Sequence, residues 1–329
     1  MKALVTGGTG FVGANLVRVL LARDYQVRCL VRKGANMLAL EGLPVELAYG
    51  DILDKPSIEA ALAGCGGLFH AAALYSLNRA QARAIYKTNV DGTRNVLDAA
   101  LRAGVGKVVF TSTTATRGPS LNGRPNDESS EPRPQDLHSP YRHSKYQAEQ
   151  VALEYCQRGL LVVVVNPSVP IGPWDVRPTP TGMMLVRFLN GPFPAYLDYG
   201  LNLVDVQDVA LGHVLAMEKG EAGQRYILAN RNVTLRETLA MLGRIAGKQP
   251  PRWQAPKWLA LWAAYAEEYL YARPFHKEPR IPVDGVRETG QRMHFTSAKA
   301  VRELGLPQSP VEGAMERAVA WFKQHRYVD

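Results

Sequence analysis

Tyr141 and Lys145 are the pair of side chains in this sequence best suited to proton transfer. They lie four residues apart in a stretch that we predict to be a helix, because Ser139-Pro140 resembles a helix start and the pattern continues past Cys156. Side chains with this spacing share one face of a helix. A free phenol, with a pKa of about 10, is a poor base at neutral pH, and a neighbouring ammonium can lower that value. The pair therefore predicts acid/base chemistry at a carbinol or carbonyl oxygen.

Hydroxyl groups follow a predicted strand that ends near residue 111. The run Lys107 to Thr111 reads as that strand, and Ser112, Thr113 and Thr114 come directly after it. Ligands bind at the carboxyl edge of a parallel sheet, so one of these hydroxyls is expected to face the substrate. The next stretch, 117–139, is rich in Pro, Gly and charge and is predicted to be a surface loop or lid.

A glycine cluster near the start of the chain predicts a dinucleotide site. Thr6 to Gly13 follows the apolar run 3–5 and precedes a helical pattern over 14–22. Gly7 and Gly10 lack the Cβ that would hold backbone amides away from a pyrophosphate, and Gly13 lets the helix lie close to the strand. The first gap is one residue longer than in the pattern GxGxxG, and an ordinary strand-to-helix turn is the alternative interpretation.

The end of the second predicted strand bears on the choice of cofactor. Gln26 to Val31 reads as this strand, and an NAD enzyme normally carries Asp or Glu at its end to hold the ribose 2′-hydroxyl. Here Val31 is followed by Arg32 and Lys33, which favour the 2′-phosphate of NADP. The alternative is that both cations belong to a solvated loop.

Further cofactor contacts are expected where two more strands end. Val45 to Tyr49 is the third predicted strand, followed by Asp51 and Ile52; Asp51 either accepts from an adenine amino group or caps a short turn. Gly67 to His70 is the fourth, and the small side chains of Ala71, Ala72 and Ala73 would let the cofactor lie against the backbone. We assign His70 no chemistry. A single long helix is predicted over 79–103, carrying Asn89.

The composition of the chain limits which classes of protein it can belong to. The chain has 329 residues with 46% hydrophobic content, enough for a sizeable core, and we expect a cytoplasmic protein. Its net charge of +9 comes from dispersed Lys and Arg without a nucleic-acid-binding motif, so no nucleic-acid partner is expected. Three scattered cysteines and seven histidines without paired spacing predict neither a disulfide framework nor a metal site.

The second half of the chain is predicted to cover the site. We expect a doubly wound parallel α/β sheet of the Rossmann type over 1–166, with a return near 201–217, and a smaller α/β substrate-binding lobe over most of 167–329. Within the lobe, 256–273 reads as a helix with aromatic residues on much of its circumference. Burial against the lobe or across a dimer is the simpler interpretation, and contact with a membrane surface is the alternative.

Taken together, these residues resemble the extended short-chain dehydrogenase/reductase family. The motifs occur in the family's order: Thr6 to Gly13, Gly50-Asp51, His70-Ala71-Ala72, Asn89, Phe110 to Thr113, Tyr141-x-x-x-Lys145 and Asn166-Pro167-Ser168. The resemblance implies that Tyr141 is the general acid/base, that Lys145 lowers its pKa and holds the nicotinamide ribose, and that Thr113 orients the reacting oxygen. It also implies that Asn89 supports a proton-relay water. The residues expected to contact the cofactor are Gly7, Thr9, Gly10, Phe11, Val12, Gly13, Arg32, Lys33, Asp51, Ile52, Ala71, Ala72, Ala73, Tyr141, Lys145, Pro167, Ser168 and Val169.

Within that family the sequence is most similar to hopanoid-associated sugar epimerases and, next, to dihydroflavonol-reductase-like proteins. It departs from many sugar-nucleotide enzymes in having Leu201 where they have an Arg that grips a diphosphate. The resemblance implies an NADP-dependent oxidoreductase, either a ketone or aldehyde reductase or an epimerase, acting on a small molecule as a homodimer. The alternative is a catalytically silent NADP-binding regulatory or scaffold protein.

Overall fold

The computed structural model describes residues 1–76, 78–121, 123–191, 194–272, 274–275, 283–287 and 289–328. The strands are β1 Lys2–Thr6, β2 Gln26–Val31, β3 Glu46–Tyr49, β4 Gly67–His70, β5 Lys107–Thr111, β6 Val162–Pro167, β7 Val169–Ile171, β8 Ala195–Tyr196, β9 Gly200–Asp205, β10 Arg225–Leu228, β11 Arg231–Thr234 and β12 Trp253–Gln254. The helices are α1 Phe11–Ala22, α2 Lys55–Leu62, α3 Ala82–Tyr86, α4 Gly92–Arg102, α5 Pro140–Gln157, α6 Pro180–Asn190, α7 Val206–Lys219, α8 Leu235–Ala246, α9 Lys257–Glu267, α10 Val283–Arg287, α11 Ala298–Leu304 and α12 Val311–Gln324.

A seven-stranded parallel sheet in the order β10-β6-β5-β4-β1-β2-β3 confirms the predicted Rossmann-type fold. Its strands are apolar on both faces, as the fully buried run Val162 to Val165 illustrates, because helices cover both sides. Helices α1 and α7 pack on one face, and α2, α4 and α5 pack on the other. The strand order reverses between β1 and β4, which opens a crevice at their carboxyl ends where ligands of such sheets bind.

The helical run before β5 is divided, whereas the sequence predicts one helix over 79–103. A 3₁₀ turn, Arg79–Gln81, leads into α3, and a π-helical turn, Lys87–Asp91, separates α3 from α4. Such wide turns occur frequently at functional sites, since the extra residue re-aims neighbouring side chains. Asn89 lies in this turn and is buried.

The second half of the chain contributes to both parts of the molecule. Strand β10 forms one edge of the main sheet and α7 packs against α1, so both belong to the Rossmann unit. The lobe contains the sheet β11-β9-β7, the pair β12-β8 and a core of side chains such as Phe188, Leu239 and Phe322. Among the described residues, no helix has the length and apolar character required to cross a bilayer.

Candidate active site

The glycine loop after β1 packs directly on the segment that follows β4. Gly7 has φ +78°, and a Cβ there would lie 2.6 Å from the backbone nitrogen of Ala72. A Cβ on Gly13 would lie 2.1 Å from the carbonyl oxygen of Gly7, so larger residues would push the loop and α1 apart. Gly10 is the N-cap of α1 and provides no side-chain cap, which leaves the first-turn amides of the helix to an anion. This cradle fits the pyrophosphate of a dinucleotide, with Thr9, Phe11 and Val12 partly buried beside it.

The predicted adenosine-side residues occupy two neighbouring strand ends. Arg32 and Lys33 are exposed just after β2, and within the described part of the chain no ion pair involves either cation. Asp51 follows β3, and its Oδ1 accepts from the backbone N–H of Leu53 at 2.9 Å, so the carboxylate does cap a short turn. Ile52 is buried against Gly92 at the start of α4. The turn-capping interpretation of Asp51 is thus observed, and contact with adenine stays a prediction.

Asn89 holds the segment after β4 rather than presenting free polar atoms to the cleft. Its Oδ1 accepts from the backbone N–H of Leu74 at 2.7 Å, and its Nδ2 donates to the Leu74 carbonyl at 3.1 Å and to Ser144 Oγ at 3.0 Å. The Asn89 carbonyl accepts from Thr93 Oγ1 at 2.6 Å. These contacts use the amide side chain to position Leu74 and α5, and the support of a proton-relay water by Asn89 stays a prediction.

Lys145 connects α5 to the carboxyl end of β5. Helix α5 begins as predicted, with Ser139 Oγ accepting from the backbone N–H of Arg142 at 3.2 Å and Pro140 in the first turn. Lys145 is buried, and its Nζ donates to the Thr111 carbonyl at 2.7 Å. Burial lowers the pKa of Lys145 to about 8, against the opposing influence of Glu149. The ammonium form therefore still dominates at neutral pH.

Tyr141 lies one turn before Lys145 and is partly buried. Its ring packs edge-on against Tyr75, with the ring centroids 4.5 Å apart. Burial raises the pKa of Tyr141 to about 12, and the nearby Arg142 opposes this only in part. In the protein by itself desolvation therefore disfavours the phenolate, and a lower pKa of the phenol beside Lys145 when the oxidised cofactor is bound stays a prediction.

Of the three hydroxyl residues after β5, Thr113 is the one that is not buried. Its Oγ1 accepts from the backbone N–H of Ala115 at 3.2 Å, and its hydroxyl hydrogen is left for another acceptor. Ser112 Oγ instead donates to Glu149 Oε2 at 2.5 Å, away from the cleft. This difference in burial agrees with Thr113 as the hydroxyl nearest to a substrate.

Glu149 is the buried acid that the sequence analysis missed. Its Oε1 accepts from Arg117 Nη2 at 2.6 Å and from Arg225 Nε at 2.7 Å, and its Oε2 accepts from Asn166 Nδ2 at 2.8 Å. Burial alone would raise the pKa of Glu149, but Arg117, Ser112 and Arg225 outweigh that effect and hold it below its usual range. The sequence indicates Glu149 only through its spacing of four from Lys145, which places both side chains on one face of α5.

The residues after β6 connect the sheet to the lobe. Pro167 ends β6 at the carboxyl edge of the main sheet and Val169 begins the lobe strand β7, and their contact with the cofactor stays a prediction. Ser168 Oγ donates to Asn202 Oδ1 at 2.8 Å, in the lobe strand β9. Leu201 is buried in the lobe core, so this position offers no charge to a diphosphate.

His70 is a structural residue, as predicted. It is buried between Thr6 Oγ1, 2.7 Å from Nδ1, and Thr93 Oγ1, 3.1 Å from Nε2. Burial, with a further contribution from Lys145, lowers the pKa of His70 to about 3, so the ring is neutral. Over the ranges that the structure describes, no three His, Cys, Asp or Glu side chains are grouped to hold a metal ion.

Comparisons with known proteins agree with this arrangement. The model of the NAD dependent epimerase/dehydratase family matches residues 3–229. A Synechocystis protein with a provisional dihydroflavonol 4-reductase name is 48% identical over 98% of this chain and 95% of its own length. Sterol demethylase protein B of Methylococcus capsulatus is 36% identical over 98% of this chain and 99% of its own.

Among solved structures, the crystal structure of gox2253 superposes with a TM-score of 0.88 at 40% identity, covering 100% of this chain and 99% of that one. The match therefore includes the lobe as well as the Rossmann unit. The chain belongs to the NAD-dependent epimerase/dehydratase family, within the extended short-chain dehydrogenases/reductases, and is an NAD(P)-dependent oxidoreductase/epimerase.

Proposed function

We propose that the protein is an NADP-linked reductase of a ketone or aldehyde, with Tyr141 as the proton donor. The observation that supports this role is the place of Tyr141 one turn before the buried Lys145, whose Nζ donates to the Thr111 carbonyl, two residues before Thr113. Burial also raises the pKa of the Tyr141 phenol to about 12. At neutral pH the phenol keeps its proton, which is the form needed to protonate an oxygen as a carbonyl becomes an alcohol. Oxidation of an alcohol would use the same groups in reverse, so we propose the direction of reaction from the reductase name of the Synechocystis relative.

The bound cofactor would supply the hydride, and the residues of the chain would handle the oxygen and its proton. Thr113 would donate to the carbonyl oxygen and hold it near the phenol of Tyr141. Lys145, held by the Thr111 carbonyl and buried, would stabilise the phenolate that remains after proton donation. Lys145 would also contact the nicotinamide ribose, with Pro167, Ser168 and Val169 beside the ring.

NADP is the proposed cofactor because cations, rather than a carboxylate, follow β2. Arg32 can meet a 2′-phosphate through two parallel hydrogen bonds, and Lys33 adds a point charge. Both side chains are exposed and therefore accessible to a ligand. Gly7, Gly10 and Gly13 would let the pyrophosphate approach, and Ala71, Ala72 and Ala73 would line the cofactor's path toward Tyr141.

For the substrate we propose an apolar carbonyl compound rather than a sugar nucleotide. The names of two relatives refer to dihydroflavonol reduction and sterol demethylation, which involve bulky ring systems. In this chain, the buried Leu201 offers no charge-assisted contact to a diphosphate, and the exposed side of Tyr75 adds an aromatic surface beside Tyr141. The epimerase reaction of the hopanoid-associated type is the alternative outcome for the same site.

Stoichiometry separates these outcomes. The purified protein is incubated with NADPH and a panel of apolar ketones, aldehydes and sugar derivatives, and cofactor and product are quantified together. Equal loss of NADPH and gain of alcohol is expected for the reductase. Product formation without net NADPH loss would contradict it in favour of an epimerase. NADPH binding without turnover of any compound would instead favour the silent binding protein.

We further propose a homodimer formed through the helices that carry Asn89 and Tyr141. Arg94 on α4 and Asp91 in the turn before it carry exposed charges, so this interface would have a polar rim. Light scattering at micromolar concentration is expected to give twice the mass of 36.2 kDa. A monomer mass at that concentration would contradict the proposal.

A further inference from the structure

Helix α9 carries a stripe of exposed aromatic side chains. Trp258, Trp262, Tyr265 and Tyr269 follow one another at spacings of four, three and four residues, which keeps them on one side of the helix and its continuation. Their exposed fractions are 71%, 72%, 38% and 56%. A Trp or Tyr side chain carries roughly 150–250 Å², so the stripe presents about 350–600 Å² to solvent. Patches of this size on a monomer are often functional.

The opposite side of α9 is what holds the helix to the lobe. Ala264 is fully buried there, and Ala260 and Leu261 pack with Val283 and Val286 of α10. Ala and Leu side chains make this attachment, while the Trp and Tyr rings face outward. The predicted burial of these aromatic residues against the lobe is therefore wrong for the stripe. Contact across a dimer and contact with a membrane surface remain as predictions.

Charge around the stripe favours an anionic surface. Two acidic residues, Glu267 and Glu268, come directly before Tyr269 and are partly buried. The stretch 252–266, which carries the first three rings, has only Arg252 and Lys257 as charged residues. Arg252 and Lys257 are exposed at the start of α9, and Arg287 Nη2 donates to the Tyr265 hydroxyl at 2.8 Å. The chain as a whole has a net charge of +9. Aromatic rings beside cations are the combination that places a helix in the headgroup region of anionic bilayers.

We propose that α9 binds the surface of a membrane containing anionic lipids, with Trp258, Trp262, Tyr265 and Tyr269 in the interfacial layer. The rings enter the boundary between headgroups and acyl chains, where their apolar faces leave water and their polar edges stay hydrated. Arg252 meets the lipid phosphates, and Lys257, whose Nζ is held by two backbone carbonyls, adds positive charge beside them. A helix that lies on the surface in this way does not span the bilayer.

Hydrogen bonds connect α9, through the segment 287–292, to the loop that follows Thr113. Lys257 Nζ donates to the carbonyls of Arg287, at 3.1 Å, and Thr289, at 3.0 Å. The chain then continues to Arg292, whose carbonyl accepts from the backbone N–H of Ser120 at 2.8 Å in the loop that follows the Thr113 turn. The binding itself is independent of the proposed reaction.

The test is sedimentation of the full-length protein with vesicles of phosphatidylcholine containing about 30% phosphatidylglycerol, compared with pure phosphatidylcholine. The wild type is expected to bind the anionic vesicles, with a blue shift of its tryptophan emission. The double variant Trp258→Ser/Trp262→Ser is expected to bind at least tenfold more weakly. Leu161→Ser, which changes an exposed apolar side chain just before β6, is the matched control and is expected to bind like the wild type.

Circular dichroism and NADPH affinity establish that each variant is folded, independently of membrane binding. Wild-type protein that stays in solution with anionic vesicles at low salt would overturn the proposal. Equal binding by the wild type and the double variant would also overturn it. A wild-type dimer that becomes a monomer in Trp258→Ser/Trp262→Ser, without vesicle binding by either, would identify the stripe as a contact between two copies instead.

Discussion

Lys145 Nζ donates a hydrogen bond of 2.7 Å to the carbonyl oxygen of Thr111, which fixes the ammonium of α5 at the carboxyl end of β5. The bond compensates only part of the cost of burying a charge, so the pKa of Lys145 falls to about 8. Glu149, one turn further along α5, raises that pKa through its negative charge. The position of the ammonium and its charge state thus depend on two different residues.

The first prediction concerns pH. Lys145 is charged below its pKa of about 8, so kcat/KM for reduction is expected to fall as pH rises through that value. Glu149→Gln removes the supporting charge and is expected to move the fall to lower pH. His70, whose pKa is lowered by burial and by Lys145, is already neutral in this range. The measurement is kcat/KM from pH 6 to 9.

Glu131→Gln is the control for this series, because exposed Glu131 also pairs with Arg117, at 3.4 Å, without facing Lys145. Its pH profile is expected to match the wild type. Since Glu149→Gln leaves Arg117 and Arg225 without their shared carboxylate, its thermal midpoint is measured alongside. A folded Glu149→Gln enzyme with the wild-type profile would refute the electrostatic role of Glu149.

The second prediction concerns cofactor choice. Arg32→Ala/Lys33→Ala is expected to raise KM for NADPH by roughly 10–100-fold, since a charge-assisted hydrogen bond contributes about 1.5–3 kcal/mol. KM for NADH is expected to change little, because NADH lacks the 2′-phosphate. Arg302→Ala removes an exposed cation on α11 and serves as the control. Parallel losses for both cofactors would show that the two cations do not read the 2′-phosphate.

The third prediction concerns stability. Burial raises the pKa of Asp175 from 3.8 to about 6, while Thr179 donates to its Oδ2 from both its backbone N–H and its hydroxyl, each at 2.8 Å. Because the pKa of Asp175 is higher in the folded state than in the unfolded state, its contribution to the free energy of unfolding is fully present below pH 4. That contribution is lost as the pH rises through 6. The loss is about 3 kcal/mol at neutral pH.

Asp175→Asn keeps an oxygen acceptor for Thr179 and never ionises. Its unfolding free energy is therefore expected to exceed that of the wild type at pH 7.5 and to approach it near pH 4. Urea unfolding at both pH values measures the difference. If Asp175→Asn were equally destabilised at both pH values, the effect of Asp175 on stability would come from its packing and not from its ionisation.

Local patterns were sufficient to predict the glycine turn after β1 and the helix that carries Tyr141 and Lys145. The tight turn at Gly7 follows from a glycine at the end of a strand, and the shared face of Tyr141 and Lys145 follows from their spacing of four. These features depend on a few neighbouring residues, so the sequence contains the information directly. The parallel sheet follows similarly from alternating strand and helix patterns.

Features that depend on distant parts of the chain were missed or predicted incorrectly. Glu149 is held by Arg117 and Arg225, which come from a turn and a strand far apart in sequence. The pKa of Tyr141 depends on burial by whichever elements pack around it, and the spacing to Lys145 does not reveal this. The aromatic residues of α9 illustrate the same limit, because their periodicity predicts a common face but not whether another element covers it.

The central claim, that Tyr141 donates the proton, is tested most directly by Tyr141→Phe. Phe keeps the ring that packs against Tyr75 and removes only the hydroxyl, so Kd for NADPH is expected to stay near the wild-type value. The rate of carbonyl reduction in a single turnover with bound NADPH is expected to fall by about 10²–10⁴-fold. Wild-type turnover by a folded Tyr141→Phe enzyme would contradict the account.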